Sequence, residues 1–98
     1  MIYIIVYDIG LDKLRNKVSK RLIAEGYVRI QLSVFAGIID PLSNVNLWSD
    51  IKSWIKEEEN SKLYSFAITK NNFKQMNIIG KLDYDIDYLT GSKHTMIV

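Results

Sequence analysis

Met1-Ile2-Tyr3-Ile4-Ile5-Val6-Tyr7-Asp8 opens the chain with seven apolar residues and ends that run on a carboxylate. Strand alternation puts Ile2, Ile4 and Val6 on one face with Asp8, and Tyr3, Ile5 and Tyr7 on the other. Because both sets are apolar, the stretch predicts a strand whose sheet is covered on each side. In a domain this small, helices cover one face and leave the second for another subunit. An ionised carboxylate removed from water is costly unless a cation or hydrogen-bond donors compensate. Asp8 is therefore where a functional argument starts.

Outward from that strand, Leu11, Leu14, Val18 and Leu22 recur at helical spacing through Glu25, and Gly26 ends the run as a C-terminal glycine does. Lys13, Lys17, Lys20 and Arg21 then fall along a solvent-facing side. Tyr27 to Asp40 is rich in β-branched and apolar residues and predicts two short strands with a turn near Gln31 to Ser33, closed by Asp40-Pro41. Leu47, Trp48, Ile51 and Ile55 mark a second amphipathic helix that decays into Glu57-Glu58-Glu59-Asn60, where acidic residues oppose the helix dipole. Lys62 to Thr69 alternates as a strand with Tyr64, Phe66 and Ile68 inward, and Asn71-Asn72 reads as a turn.

The order β, α, β, β, α, β predicts an α+β, ferredoxin-like fold. Met76 to Ile79 predicts an extra C-terminal strand that needs an edge to pair with, and a neighbouring subunit's sheet supplies one. Residues 1–80 are thus expected to form the domain with its appended strand, and 81–98 a tail with little core potential of its own.

A 98-residue chain holds one core and buries about 60 to 70% of its unfolded surface, so help from a partner chain is no surprise. No apolar stretch approaches the roughly 20 residues of a membrane span, and the N-terminus lacks a signal-peptide pattern. No membrane association and a cytoplasmic location are expected. The absence of cysteine rules out a thiolate nucleophile, and one histidine, His94, leaves little scope for transition-metal chemistry. Any metal should be a hard, oxygen-bound ion.

The net charge of +2 is unevenly spread. Lys13, Arg15, Lys17, Lys20, Arg21 and Arg29 meet only Asp12 and Glu25 in their stretch, which makes that half the candidate surface for a polyanion. The alternative is an ordinary solvated helix face. Asp8 likewise has two readings, a metal ligand or a cap for the helix beginning near Leu11. Trp48 fits the core and Trp54 a partner contact, and His94 reads as a surface residue.

Three stretches, Tyr3-Ile4-Ile5-Val6-Tyr7-Asp8-Ile9, Leu14-Arg15-Asn16-Lys17-Val18 and Arg29-Ile30-Gln31-Leu32-Ser33-Val34-Phe35, lie in the order and spacing of one family. With them the chain resembles the Cas-two family, the small CRISPR-associated protein of spacer acquisition. The segment from Ile68-Thr69 to Ile78-Ile79-Gly80 is similar to archaeal members. The resemblance implies a ferredoxin-like homodimer in which Asp8 of each subunit approaches across the two-fold axis and holds Mg2+. It puts Arg15, Lys17, Arg29, Ser33 and Phe35 near that axis or on the nucleic-acid surface, with Tyr7, Ser33 and Phe35 supporting the dimer or site.

The implied role is a DNA-binding scaffold that joins a CRISPR integrase subunit. The alternative is a magnesium-dependent endonuclease acting on RNA or DNA, with Asp8 as its catalytic ligand. Two departures stand out: Ala36 where many members carry Glu, and Lys17 where some carry Arg. The first removes a possible ligand, and the second replaces a planar fork by a point charge.

Overall fold

The computed structural model describes residues 1–91. Strand β1 (Ile2–Asp8) lies inside a four-stranded sheet, flanked by β3 (Val34–Gly37) and β4 (Lys62–Ile68), with β2 (Val28–Gln31) outside β3. Every pairing is antiparallel, and β1 meets Val34–Gly37 on one side and the whole of β4 on the other. Helix α1 (Asp12–Ala24) joins β1 to β2, and α2 (Val45–Lys56) joins β3 to β4. This is the ferredoxin-like βαββαβ arrangement the sequence predicts.

Helix α1 turns its apolar stripe inward, burying Leu14, Val18 and Leu22. It ends where predicted: Gly26 takes a left-handed φ of 95°, Gly26 N donates to Ile23 O, and Tyr27 N donates to Leu22 O. That pair of bonds is the left-handed helix stop for which glycine is favoured. The β2–β3 turn falls at Leu32-Ser33, inside the expected window.

Both faces of β1 are covered, and each belongs to a different core. Under α1 and α2, Ile5, Tyr7, Leu14, Val18, Leu22, Phe35, Leu47 and Ile51 form the larger one. On the opposite face Ile2, Ile4 and Ala36 pack with Phe73 and Leu89. Burying a side chain of this size stabilises by about 1.5–3 kcal/mol.

Four expectations change here. Asn71-Asn72 is not a turn but lies in helix α3 (Lys70–Lys74), because Thr69 caps Asn72 N at 3.0 Å and Phe73 anchors the helix in the core. Met76–Ile79 forms no fifth strand in the single chain; Met76, Ile78 and Ile79 are exposed, with no sheet edge engaged. The segment after Lys81 does supply core: helix α4 (Ile86–Thr90) buries Leu89, with Tyr84 and Ile86 beside it. Finally, of the three β4 residues expected inward, only Ile68 packs on the second core, and Tyr64 and Phe66 stay about half exposed. His94 lies outside the described residues.

Candidate nucleic-acid interface

Asp8 closes β1 on the same face as Ile4 and Val6 and is exposed. It caps nothing: α1 begins at Asp12 behind the N-cap residue Leu11 with no side-chain cap bond, and no hydrogen bond or ion pair to the Asp8 side chain occurs among the described residues. The helix-cap reading of Asp8 therefore fails, and an unpartnered carboxylate remains at the sheet's end.

The surroundings of Asp8 come from three elements. Lys62 stands opposite it in register on β4, so the two side chains share a face. The Leu32-Ser33 turn reaches the same end, where Tyr7 N donates to Ser33 O at 3.0 Å. Arg15 Nη1 donates to Ile9 O at 3.1 Å and its other guanidinium nitrogen pairs with Asp12, which ties α1 to the residue just after Asp8. Nothing local in the sequence marks Lys62; only strand pairing brings it to Asp8.

Phe35 and Tyr7 take their places on the other side of the sheet. Phe35 is fully buried and stacks with Tyr7 at 6.1 Å between ring centroids, and the Tyr7 hydroxyl points toward Leu32 O at 3.4 Å. Arg29 on β2 stands over the Phe35 ring at 5.2 Å while remaining exposed. Their contribution to the Asp8 end is support from beneath rather than contact.

The basic stripe divides. Lys13 and Lys20 are exposed and make no ion pair among the described residues. Lys17 stays exposed as expected, but Arg21 does not face open solvent, because α2 packs alongside. Arg21 Nη1 bonds Asp50 at 2.7 Å and Nε bonds Glu25 at 2.9 Å, and these two carboxylates raise its pKa further above the ordinary arginine value. Lys17 Nζ sits 4.4 Å above the Trp54 ring. The tryptophans depart from expectation: Trp54 packs against the larger core, while Trp48 is outside it and lines an apolar groove with Ile51, Ile55 and Leu63.

Could this end hold magnesium? The ion takes oxygen ligands, one or two of them carboxylates, and keeps several waters. Asp8 has the right chemistry, but no group of three or more acids or histidines converges among the described residues. Ala36 is fully buried at a position facing Ile4 and offers no oxygen. One chain therefore provides a single carboxylate, the lower limit of that donor set, and Asp8 of a second copy would raise it to two.

Fold and site together define a small ferredoxin-like domain with one sheet face half open and an unpartnered acid at its rim. A family model described as CRISPR associated protein Cas2 matches residues 1–76. The chain belongs to this family. It is similar to the CRISPR-associated endoribonuclease Cas2 1 of Chloroflexus aurantiacus, 35% identical over 81 residues that cover 82% of this chain and 85% of that one. It is also similar to the CRISPR-associated endoribonuclease Cas2 2 of Pyrobaculum aerophilum, 51% identical over 41 residues, 42% of this chain and 45% of that relative's length. A chain of a structure described as a partial Cas6-RT-Cas1--Cas2 complex superposes with a TM-score of 0.62 at 32% identity, covering 80% of this chain and 89% of its own.

Proposed function

We propose that two copies of this chain form a cytoplasmic homodimer that holds short duplex DNA for an integrase subunit during CRISPR spacer acquisition, the subunit carrying out strand transfer. The observation that carries this reading is the half-open sheet face, where Tyr64 and Phe66 are about half exposed beside the unpartnered Asp8. A second copy laid on that face buries the aromatics and brings the two carboxylates together. The exposed Met76–Ile79 run then has the free edge of the partner's β4 to pair with. Lys13 and Lys20 of both copies contribute uncommitted positive charge toward phosphates. The Cas1–Cas2 complex named for a relative supports the integrase partner. No helix among the described residues is long and apolar enough to cross a membrane.

A second reading, a magnesium-dependent endonuclease, has its own observation: the Asp8 carboxylate is exposed and uncommitted, and two relatives carry the name endoribonuclease. Two carboxylates brought together without a cation repel, so Asp8 of each copy would hold the ion jointly. When bound, magnesium polarises a phosphodiester oxygen and acidifies a water. Arg29, exposed on β2, is free to meet phosphate, whereas Arg15 is already engaged by Asp12 and Ile9 O.

Half-site integration of a short duplex by the cognate integrase tests the first reading against the second. Three samples suffice: no added chain, wild type, and Asp8→Asn verified as a dimer by sedimentation. Stimulation by wild type and variant alike supports the scaffold. Failure of wild type to stimulate refutes it. Stimulation lost in a dimeric Asp8→Asn, together with loss of magnesium-dependent cleavage of RNA or DNA, favours the nuclease.

A further inference from the structure

Ile38, Ile39, Leu42 and Val45 are each more than half exposed, four large aliphatic side chains within eight residues linking β3 to α2. Connections of this kind are usually polar, and a run this apolar calls for an explanation. It is not a loose segment. Tyr27 Oη donates to Ile39 O at 2.6 Å, Leu42 N donates to Asp40 Oδ1 at 2.9 Å, and Ser43 Oγ donates to Asp40 O at 2.6 Å. Asn44 accepts from Leu47 N at 3.1 Å and donates to Glu25 at 3.2 Å, and Pro41 is fully buried beneath them. Gly37 lets the chain enter this turn, since a Cβ there would come within 2.5 Å of Tyr27 Cδ1. The backbone is held rigid while the aliphatic side chains face water, an arrangement that lowers the ordering cost of binding.

The chemistry of the occupant follows from the charges. Between Gly37 and Leu47 the only charged residue is Asp40, and its carboxylate is spent inside the turn. A polyanion finds no cation here, whereas an uncharged protein surface finds an apolar patch. Position then separates the protein candidates. Gly37 pairs with Tyr3, so the loop stands at the start of β1, the opposite end of the sheet from Asp8. With Asp8 at the two-fold axis, the loop lies at each far end of the dimer, where further copies would add on as an open chain.

The geometry points to residues 38–45 as the docking surface for the integrase subunit, a protein presenting an apolar, uncharged face to each end of the dimer. This inference rests on the scaffold reading above.

The test measures the Kd of purified cognate integrase for the full chain as wild type, as the double variant Ile38→Ser, Leu42→Ser, and as Val45→Ser in case the double variant fails to fold. Dimer mass by sedimentation and duplex-DNA affinity are followed in parallel. The expected result is at least tenfold weaker integrase binding by the double variant, and several-fold by Val45→Ser, with dimer mass and DNA affinity unchanged. Wild-type integrase binding by the folded variants overturns this inference and leaves the scaffold reading intact. Loss of the dimer, or of DNA affinity with integrase binding retained, also overturns it, by assigning the patch to a second copy or to nucleic acid. Absence of integrase binding by wild type removes the scaffold reading and this inference with it.

Discussion

The two faces of the sheet are completed by different means. Beneath α1 and α2 the layer is closed by long helices, and Phe35, Leu22, Leu47 and Val18 are fully buried. On the opposite face two helices of five residues each cover Ile2, Ile4 and Ala36, while Val6 is only partly buried and Tyr64, Phe66 and Asp8 stay accessible. Helices that short have little stability of their own, so α3 and α4 depend on the Thr69 and Asp85 caps and on the anchors Phe73 and Leu89. One face is closed by the chain itself, and the other is left partly open.

The largest expected effect tests that division. Phe35→Ala should cost about 3–5 kcal/mol of unfolding free energy, because it opens a cavity between β3 and the helices. Urea denaturation measures it, with Phe73→Ala as the comparison. Phe73 anchors a single short helix, so its truncation should cost clearly less. Equal costs would mean that the second face is as indispensable to the fold as the first.

Next in size is the open face. Tyr64→Ser with Phe66→Ser should weaken self-association at least tenfold, or about 1.4 kcal/mol, in sedimentation equilibrium. The unfolding free energy of the dissociated chain should change little, since both rings are already half in water. Unchanged self-association would remove this face from the dimer.

These contrasts explain what could be read from the sequence. The first strand, α1 and α2 were legible because one-chain burial imposes periods of two and 3.6 on the residues, and Gly26 marks a stop that few other residues allow. Helix α3 was not, because Asn71-Asn72 favours a turn locally and only the burial of Phe73 against Ile2 and Ile4 decides for a helix. Tyr64 and Phe66 alternate as though buried, since alternation marks a shared sheet face without saying how far the chain itself covers it. At the site, Asp8 was legible from its position at the end of an apolar strand. Lys62 was not, because cross-strand register has no local signature. The departure of Arg21 has a similar cause: whether it faces water depends on Asp50, 29 residues away.

The closed face has a pH limit of its own. Burial first, and then the nearby Asp40 and Glu25 carboxylates, push the Tyr27 phenol up to about 12. The folded state thus holds this proton more tightly than the unfolded chain, whose tyrosine titrates near 10. Stability from this source is fully present below about pH 10 and is lost as pH rises toward 12, on the order of 2 kcal/mol. Tyr27→Phe should flatten that alkaline decline, and it should also lose the bond to Ile39 O. Denaturation midpoints between pH 9 and 12 measure both, and an equally steep decline in the variant would assign the titration elsewhere.

The smallest effects separate two neighbours on one helix. Lys20 is exposed and makes no ion pair among the described residues, whereas Arg21 is held between Asp50 and Glu25. A cation already neutralised by two carboxylates releases few counterions when DNA arrives, because its charge is compensated before binding. Lys20→Ala should therefore lower the slope of log affinity against log salt by about one per chain for duplex DNA, while leaving the denaturation midpoint where it was. Arg21→Ala should do the reverse, lowering the midpoint by loosening α1 from α2 and leaving the salt slope unchanged. Fluorescence anisotropy across a salt series reads the first quantity and urea titration the second. If Arg21→Ala reduces the slope as much as Lys20→Ala, DNA competes successfully with Asp50 and Glu25, and the contacts between α1 and α2 rearrange on binding. If neither changes it, the polyanion lies against another surface, and Lys62 beside Asp8 becomes the residue to substitute next.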